Sequence, residues 1–478
     1  MRRLADDALS ALPDDIVRPT YDRANARIGV VHLGVGNFHR AHQAVAFDDL
    51  LSRGDARWGI CGVSLKRPTM RDALAPQDGL YTLLERDGTG TRARVIGALR
   101  ALQVAPESPP AVIERLAAPD TRLVTLTITE KGYDETGPTS AVGLLAAGLD
   151  ARRAASRGGL TLMSCDNLPR NGARLAARLG EAARTIDASL PDWIAREVAC
   201  PDSMVDRIVP ATLDADRTEA ASRLRCEDAW PVTAEPFSQW VIERRVVGEA
   251  PPLEVAGVQW VDDVAPWEAM KLRLLNAAHS TLAYLGAPAG LATVDAAIGE
   301  PQLRAFVERL WRQAAVTLPA SVRDAAPAYG ERLLARFANP ALHHRLLQIA
   351  MDGSKKLPQR LVETLREARH SGAPHDALLL AVAAWMRFCA GRDEAGAGLP
   401  LDDPLADRLR AAAAQSGDPR ATVRAMLAIE DVFGDAGAEP ALVDALAAAL
   451  DALRRHGSIG TLEANGAPIA LSSAARRA

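Results

Sequence analysis

The first half of the chain alternates between short apolar runs and amphipathic stretches, with glycine or polar residues between them. Strands are predicted over residues 27–34, 58–64, 80–85, 123–129 and 160–165, and helices over residues 38–51, 110–117, 139–155 and 171–188. Strands and helices in this alternating order indicate a mostly parallel, doubly wound α/β sheet. Such sheets bind ligands at the carboxyl ends of their strands, where Glu130, Lys131 and Asn167 are placed.

The turn after the first strand has the glycine spacing that nucleotide-binding folds use. Gly34 permits a tight turn, and Gly36 lets the backbone approach a pyrophosphate at the start of the next helix. The third glycine of the usual pattern is replaced by His39. Because a bare Gly-x-Gly occurs by chance in many chains, the dinucleotide site is indicated by its position between a strand and a helix.

From about residue 266 onward, Ala, Leu and Arg dominate, and the spacing of apolar residues is helical. Breaks between these helices are predicted at Pro340, Gly353, Pro374 and residues 398–400. We therefore expect a Rossmann-type dinucleotide-binding domain over residues 1–265 and a mostly α-helical domain over residues 266–478. The active site is expected in the cleft between them, and the tail from Gly457 onward is expected to be loose.

One predicted helical run, residues 267–279, carries an ammonium, an amide and an imidazole on one side. Counting about 100° per residue from Lys271, Glu268 falls at about 60° and His279 at about 80°. Asn276 falls at about 140° on the same count, so these groups share less than half of the helix circumference. A lysine that readily loses its charge, beside an amide donor, suits proton transfer between an alcohol and a ketone. A solvated charged face is the alternative interpretation.

Composition and charge exclude several classes of function. The 478 residues are 48% hydrophobic and 24% charged, with a net charge of −4, which is ordinary for a soluble globular protein. The sequence shows no basic footprint for nucleic acid or an anionic membrane, no apolar stretch of transmembrane length and no signal-peptide core. We expect a cytoplasmic protein, a monomer or small homo-oligomer, with a small-molecule substrate and neither a nucleic-acid nor a membrane partner.

The five cysteines are odd in number and scattered, and no Cys or His cluster has metal-ligand spacing. His32, His39 and His42 lie close together along the chain, but no nearby cysteine or pair of carboxylates completes a zinc site. We expect a protein of a reducing compartment without a bound metal.

Residues 351–360, Met-Asp-Gly-Ser-Lys-Lys-Leu-Pro-Gln-Arg, interrupt the helical pattern with a glycine and a proline. They are predicted to form a loop that presents the positive charges of residues such as Lys356 and Arg360. A solvated turn without a ligand is the alternative interpretation.

Six separated motifs together resemble the mannitol dehydrogenase family, the long-chain, zinc-independent polyol and aldonate dehydrogenases. They are Gly34-Val-Gly-Asn-Phe-His-Arg-Ala-His42, Thr129-Glu-Lys-Gly-Tyr133, Ser164-Cys-Asp-Asn-Leu168, Asp202-Ser-Met-Val-Asp-Arg-Ile-Val-Pro210, Pro236-Phe-Ser-Gln-Trp240 and Lys271-x4-Asn276-x2-His279. The motifs follow the family's order and spacing across residues 27–360. The family carries a histidine at the position of His39, so the missing third glycine agrees with the resemblance.

The resemblance implies a role for each polar group of the Lys271 run. Lys271 matches the general base, which takes the hydroxyl proton while hydride leaves for a nicotinamide. Asn167 and Asn276 match an oxyanion hole, in which each amide donor stabilises the developing charge by about 3–4 kcal/mol. His279 matches a substrate-positioning residue, and Glu268 a gate for proton exchange with bulk water. A lysine base needs a pKa lowered toward neutrality, which burial in a closed cleft provides.

The cofactor implied by the resemblance is NAD, with contacts predicted from Gly34, Gly36, Asn37, Phe38, His39, Glu130 and Lys131. An acidic residue after the second strand normally binds the ribose diol of NAD. Here residues 64–72 are basic, and Lys66 and Arg67 offer partners for the 2′-phosphate of NADP. NAD is predicted, and NADP is the alternative.

The substrate is predicted from residues 348–360, which look most like the fructuronate reductase (mannonate oxidoreductase) branch of the family. The mannitol branch is expected to carry an arginine where Gln348 stands. A carboxylate substrate needs a cation near its end, for which Lys355, Lys356 and Arg360 are the candidates. Asp206 lies where the family places a polar group near the substrate. The predicted reaction interconverts D-mannonate and D-fructuronate, and oxidation of mannitol or arabinitol is the alternative.

Two further classes of function compete with this prediction. A dinucleotide-binding sensor without catalysis is expected to lack Lys271, Asn276 or Asn167, all of which are present. A nucleotide-sugar dehydrogenase needs a nucleophilic cysteine, and none of the five lies near the Lys271 run in sequence.

Overall fold

The computed structural model describes residues 2–414, 417–434 and 439–464. The chain divides into two compact units, Met1–Ala265 and Pro266–Ala478. Buried apolar clusters lie within each unit, so each has a core of its own.

The first unit mixes strands and helices. Its strands are β1 (Ile28–Leu33), β2 (Gly59–Ser64), β3 (Tyr81–Asp87), β4 (Gly90–Ile96), β5 (Leu99–Val104), β6 (Leu123–Leu126), β7 (Thr161–Ser164), β8 (Ser203–Asp206), β9 (Val232–Ala234), β10 (Gln239–Glu243) and β11 (Gln259–Val261). Its helices are α1 (Asn37–Ala41), α2 (Gln43–Ser52), α3 (Thr69–Leu74), α4 (Pro109–Ala117), α5 (Thr129–Asp134), α6 (Ala141–Ala154), α7 (Asn171–Arg184), α8 (Leu190–Glu197) and α9 (Asp214–Leu224).

A parallel sheet in the order β5-β2-β1-β6-β7 forms the centre of the first unit. The central strand β1 is buried on both faces. Val30 packs with α2 residues such as Phe47 on one face, and Val31 and Leu33 pack with α4, α6 and α7 on the other. Because β2 and β6 lie on opposite sides of β1, the chain changes direction there, which is where doubly wound sheets bind ligands. The predicted α/β fold is confirmed.

Residues 80–85 are not part of this sheet, contrary to the prediction. They lie in β3, which pairs with β4 in antiparallel fashion and with β9 in parallel, in a separate sheet of order β4-β3-β9. The Asp87 carboxylate accepts hydrogen bonds from the backbone N–H groups of Thr89 and Gly90. This Asp-Gly-containing turn favours a hairpin over a crossover to the parallel sheet. A further sheet has the order β11-β10-β8.

The second unit is built from helices, as predicted. They are α10 (Ala265–Met270), which begins one residue earlier, a π-helix (Lys271–Asn276), α11 (Ala277–Gly286), α12 (Val294–Gly299), α13 (Pro301–Ala315), α14 (Ala320–Arg323), α15 (Ala326–Phe337), α16 (Leu346–Ala350), α17 (Gly353–Leu357), a second π-helix (Pro358–Val362), α18 (Glu363–His370), α19 (Asp376–Phe388), α20 (Ala406–Ala413), α21 (Pro419–Leu427), α22 (Glu430–Phe433) and α23 (Pro440–Ala464).

Two helices, α11 and α19, form the centre of the second unit. Nearly every residue of both is buried, and α11 packs against α13, α16 and α19. A helix that is apolar on all sides belongs in a core, so α11 fixes the position of the π-helix that precedes it. Within the residues that the structure describes, no helix is long and apolar enough to cross a membrane.

The predicted loose tail begins later than Gly457. Gly457 has a φ of +69° and kinks α23, which nevertheless continues to Ala464. The backbone N–H of Ser458 donates to the Glu394 carboxylate, which anchors the helix after the kink. The prediction is wrong for residues 457–464, and residues 465–478 lie outside the described part of the chain.

Candidate active site

The glycine turn after β1 is fastened to the neighbouring strand. Gly34 has a φ of +99°, and a Cβ there would lie 2.2 Å from the carbonyl oxygen of Thr127. Thr127 follows β6, and its hydroxyl donates to the Gly34 carbonyl over 2.7 Å. Gly36 is exposed and precedes α1 as its N-cap. A side chain at position 34 would collide with backbone, so the tight turn requires glycine.

His39, at the position of the third glycine, is 0% exposed. Its ring stacks on that of His32 in β1, with 3.3 Å between the centroids and 12° between the planes. The third glycine normally permits close packing of helix on strand, and here two stacked imidazoles occupy that interface. The ring of His39 thus packs beneath the glycine turn, and its predicted contact with a cofactor stays a prediction.

Burial keeps both stacked rings neutral. It lowers the pKa of His32 to about 3 and holds the pKa of His39 well below its ordinary value, because neither imidazolium would be solvated there. The ring of His32 has a polar neighbour, since its Nδ1 lies 2.8 Å from the hydroxyl oxygen of Thr125.

Asn37 and Phe38 are half-buried at the start of α1. The Asn37 amide donates to the Pro210 carbonyl over 3.3 Å and to the Thr212 hydroxyl over 3.1 Å. The Phe38 ring lies 5.0 Å from the ring of His42. Since the Asn37 amide has protein partners, the exposed backbone of the turn is the part best suited to a phosphate.

Glu130 and Lys131 are exposed on α5, directly after the carboxyl end of β6. Glu130 lies 3.6 Å from the guanidinium of Arg174. The carboxyl-end placement predicted for both residues is observed, and their contact with a cofactor stays a prediction.

A buried carboxylate that sequence reasoning missed, Asp166, joins the ends of β6 and β7. It accepts hydrogen bonds from the backbone N–H groups of Ile128 (3.1 Å) and Thr129 (2.8 Å) and from the Tyr133 hydroxyl (2.9 Å). Burial raises the pKa of Asp166, while these donors oppose the rise. Asn167 follows directly and is exposed. The network thus fixes the backbone that carries the predicted oxyanion-hole amide.

Asp206 stands at the end of β8, opposite Gln239 in the antiparallel ladder with β10, and is 4% exposed. The next residue, Arg207, donates to the Glu235 carbonyl and to the Glu85 carboxylate. These contacts hold the strand end in place. A substrate contact of Asp206 stays a prediction.

The Lys271 run is not a continuous α-helix. α10 ends at Met270, residues Lys271–Asn276 form a π-helix, and α11 begins at Ala277. In a π-helix the hydrogen bonds span five residues instead of four, so each residue turns less about the axis. The angles predicted for Asn276 and His279 relative to Lys271 are therefore wrong. Single-turn π segments inside α-helices occur often at functional sites.

Two side chains, Arg273 of the π-helix and Trp311 of α13, bind the π-helix to the rest of its unit. The Arg273 guanidinium, which extends from the π-helix, donates to the Thr317 carbonyl over 2.6 Å and pairs with the Glu367 carboxylate. The indole N–H of Trp311 donates to the Leu274 carbonyl over 2.9 Å. The π-helix is therefore bound to Trp311 in α13, to Thr317 after α13 and to Glu367 in α18.

His279 lies in a buried aromatic setting. Its ring centroid is 4.6 Å from that of Phe337 and 5.2 Å from that of His344. Burial first, then repulsion from His344, Arg336, Arg360 and Lys271, holds the pKa of His279 well below its ordinary value. Its Nε2 has no hydrogen-bond partner among the described residues. A neutral, buried ring nitrogen of this kind suits a hydrogen bond to a substrate hydroxyl.

The predicted loop over residues 351–360 is helical instead. α17 covers Gly353–Leu357, and a second π-helix covers Pro358–Val362 and packs against the first. Pro358 lies inside a continuous helical stretch, at the point where α17 widens into the π-helix, and such a change of helical geometry accompanies an interrupted hydrogen-bond ladder. Arg360 donates to the Ser280 hydroxyl over 3.0 Å and approaches the Asn276 carbonyl at 3.5 Å. Arg360 thus links the two π-helices, and burial lowers its pKa.

Lys356 lies beside this link. Its ammonium donates to the Met351 carbonyl over 2.6 Å and to the Ile349 carbonyl over 3.3 Å. Burial and repulsion from Arg360 lower the pKa of Lys356, and the carboxylates of Asp352 and Asp403 oppose that change.

The second unit therefore gathers cations and neutral imidazoles around His279. Sequence reasoning found Lys271, Asn276, His279 and Arg360 but missed His344, Arg336 and Ser280. Nothing in the local pattern distinguishes those three, because helices far apart in sequence bring them together. Such a concentration of hydrogen-bond donors suits a small ligand rich in oxygen atoms.

Both halves of the chain match models of known protein domains. Residues 28–255 match the mannitol dehydrogenase Rossmann domain, and residues 263–454 match the mannitol dehydrogenase C-terminal domain. The chain belongs to the mannitol dehydrogenase family.

Relatives and solved structures agree with this assignment. The chain is 40% identical to a mannitol 2-dehydrogenase of Pyrenophora tritici-repentis, over 96% of this chain and 86% of that protein. The mannitol 2-dehydrogenase of Pseudomonas fluorescens, solved as a ternary complex with NAD and D-mannitol, is 37% identical, with a TM-score of 0.83 and coverage of 97% and 99% of the two chains. A D-sorbitol dehydrogenase in substrate-free form is 29% identical, with a TM-score of 0.88 and coverage of 96% and 100%.

Membership of the mannitol dehydrogenase family identifies the chain as an oxidoreductase that acts on CH–OH groups, as predicted, and disfavours the sensor alternative. The predicted fructuronate reductase branch is not shown. The relative from Pyrenophora tritici-repentis and the solved structure from Pseudomonas fluorescens are both named mannitol 2-dehydrogenases, so the findings favour the mannitol alternative.

The cysteines of this mannitol dehydrogenase family member are free and buried. Burial raises the pKa of Cys61 to about 11 and that of Cys200 to about 12, so these thiols are poor nucleophiles. Across residues 2–414, 417–434 and 439–464, no three His, Cys, Asp or Glu side chains are grouped for a metal ion. The thiol chemistry of nucleotide-sugar dehydrogenases therefore has no support.

Proposed function

We propose that this chain is a polyol 2-dehydrogenase, which oxidises the secondary alcohol of mannitol or a similar acyclic polyol to a ketone and catalyses the reverse reduction. The observation that carries the proposal is the match of both domains to the mannitol dehydrogenase family. The π-helix that carries Lys271 and Asn276 beside His279 supports it, because this segment combines a base, an amide donor and a neutral imidazole.

In this proposal Lys271 is the general base and takes the proton of the hydroxyl group that is oxidised. The amides of Asn276 and Asn167 donate hydrogen bonds to the same oxygen and stabilise its negative charge as it becomes a carbonyl oxygen. His279 binds a neighbouring hydroxyl, and Asp206 adds a further polar contact. Glu268, half-buried in the turn before Lys271, passes the proton to bulk water.

The residues of the first domain suit a nicotinamide dinucleotide. The turn from Gly34 to Gly36, which is exposed at Gly36, lies at the switch point of the sheet and leaves no room for a side chain at position 34. When bound, the nicotinamide accepts hydride from the substrate carbon. We propose NAD as the cofactor, held by this backbone with Phe38, Glu130 and Lys131 around it. NADP is retained as an alternative because Lys66, rather than an acid, follows β2.

A second candidate substrate is an aldonate such as D-mannonate. Arg360 lies close enough to Lys356 for its positive charge to help burial lower the pKa of Lys356. The positive charges of Arg336 and Arg360 also add to the burial that lowers the pKa of His279. A concentration of cations favours a ligand that carries a carboxylate. Against it, Arg360 and Lys356 both have protein acceptors, which gives their positions a structural role as well.

One panel of substrates tests both candidates. Purified protein is assayed with mannitol, arabinitol, sorbitol, mannonate and altronate, each with NAD⁺ and with NADP⁺, by the absorbance of the reduced nicotinamide. We expect the highest kcat/KM with mannitol and NAD⁺ and no effect of a chelator. A higher kcat/KM with mannonate would replace the first candidate by the second. Turnover of none of these compounds would overturn both.

A further inference from the structure

Trp311 contacts the π-helix from outside, and no motif of the sequence marks this residue. It lies on α13 and is 7% exposed, and its indole N–H donates to the Leu274 carbonyl. Leu274 stands between Lys271 and Asn276. A donor at this carbonyl therefore acts on the backbone that sets the spacing of the proposed base and the proposed amide donor.

The indole of Trp311 is also connected to His279, the proposed substrate-positioning residue, through one intervening ring. The centroid of Phe337 lies 6.1 Å from that of Trp311 and 4.6 Å from that of His279. Phe337 is 1% exposed at the end of α15. Packing in protein interiors is dense, so a displaced indole displaces its neighbours. Trp311 is thus in contact with the helix of Lys271 and, through Phe337, with His279.

The indole packs into the apolar core of the second unit, where Gly330 of α15 leaves room for it. One of its faces lies over Gly330, where a Cβ would come within 3.2 Å of the ring. The ring also borders a cavity of about 500 Å³ between α13 and α15. The hydrogen bond to the Leu274 carbonyl adds direction to this packing, because it fixes which edge of the indole faces the π-helix.

We propose that Trp311 is a positioning residue for hydride transfer: its N–H holds the π-helical register that places Lys271 and Asn276 on the same substrate oxygen. The inference rests on the proposed function for its kinetic consequence. Its structural consequence, a π-helix stabilised by Trp311, stands independently of the substrate.

The experiment compares Trp311→Phe with Trp385→Phe. Phenylalanine keeps an aromatic ring but removes the N–H. Trp385 is a suitable control because it is also a buried indole of the second unit, packed against Phe433, and its Nε1 has no hydrogen-bond partner in the part of the chain that the structure describes. Circular dichroism and the thermal midpoint establish that both variants are folded.

Kinetic and exchange measurements are made on the full chain. For Trp311→Phe we expect kcat for mannitol to fall about tenfold to a hundredfold, with the KM for the nicotinamide changed less than about twofold. The deuterium isotope effect on kcat should rise, since misplacement slows the hydride step itself. Amide hydrogen exchange of residues 271–280 should become at least about tenfold faster, and in Trp385→Phe it should not change.

A second variant tests the contact with His279. Phe337→Leu should raise the KM for the polyol about tenfold and change kcat less than about threefold, because it loosens the imidazole rather than the π-helix. A kcat of Trp311→Phe within threefold of that of Trp385→Phe, or equal exchange over residues 271–280, would overturn the positioning role. If the wild type oxidises no polyol, the proposed function fails, and the exchange measurement still decides the role of Trp311.

Discussion

Lys271 is the first residue of the π-helix, so it stands where the backbone changes from α-helical to π-helical geometry. The side chain is half-buried, and its charge contributes to the repulsion that keeps His279 neutral. The neighbouring imidazole is thus held in the form that both donates and accepts a hydrogen bond. A base and a neutral hydrogen-bonding ring are what the proposed reaction requires of these two residues.

Replacing this lysine tests the proposed base directly. We expect Lys271→Ala to lower kcat for mannitol about a thousandfold, since general bases contribute about 10²–10⁴ to the rate, and to leave nicotinamide binding nearly unchanged. Lys355→Ala is the matched control, because Lys355 is an exposed lysine of the same unit. Retention of about a tenth of the wild-type kcat would remove Lys271 from the mechanism.

Cofactor preference is decided at a second lysine. Lys66 follows β2 and pairs with Glu135 at 2.6 Å, and both side chains are largely exposed. We expect Lys66→Ala to lower kcat/KM with NADP⁺ about tenfold, because an ammonium at this place pairs with a 2′-phosphate. The value with NAD⁺ should change less than about twofold. Equal losses with both cofactors would indicate that Lys66 does not contact the 2′ position.

At the scale of elements, the sequence predicted helices where helices are found but did not distinguish π from α. Apolar spacing identified the Lys271 run and its polar face. The π geometry depends on Trp311 and Thr317, which lie about 40 residues away in sequence and cannot be read from a local pattern. The helix over Gly353–Leu357 was missed because glycine and proline were taken as breakers. Gly353 instead begins α17, and Pro358 lies where α17 widens into the second π-helix.

The ion pair between Arg273 and Glu367 joins the first π-helix to α18, which directly follows the second. Arg273 is largely buried and Glu367 is half-exposed, so solvent screens the pair and we expect a coupling energy of about 0.5–1 kcal/mol. A double-mutant cycle with Arg273→Gln and Glu367→Gln, measured by urea unfolding, gives this value. Arg273→Gln should cost more than Glu367→Gln, because it also leaves the Thr317 carbonyl without its donor. The reverse order would contradict this role of Arg273.

At the scale of the whole molecule, sequence reasoning recovered the fold class and the family because both are repeated over hundreds of residues. The alternation of strands and helices identified the parallel sheet around β1, and six motifs identified the family. Substrate choice was predicted from one short segment around Gln348, and the relatives favour the other branch. Single side chains carry too little information to decide a substrate when burial and partners are unknown.

Buried histidines make the free energy of unfolding of both units depend on pH. His32 and His39 in the first unit and His279 in the second have folded pKa values below the value of about 6.5 in an unfolded chain. As pH falls below that value, the unfolded chain takes up protons that the folded chain does not. The free energy of unfolding should therefore fall by about 1.4 kcal/mol per pH unit for each histidine.

Urea unfolding checks this dependence. The transition midpoint should be nearly constant between about pH 8.5 and pH 7.5 and should decrease clearly by about pH 5.5, as buried neutral histidines require. Equal midpoints at about pH 7.5 and pH 5.5 would show that these rings accept protons in the folded state.

The stacked rings of His32 and His39 have an evolutionary consequence. The two imidazoles lie seven positions apart in sequence and pack against each other between β1 and α1. A substitution at either position therefore changes the packing of the other ring. Replacement of His39 by glycine would leave a void beside His32 rather than restore the ordinary packing of helix on strand. The two sites should therefore co-vary in alignments, and searches that demand three glycines will overlook descendants of this lineage.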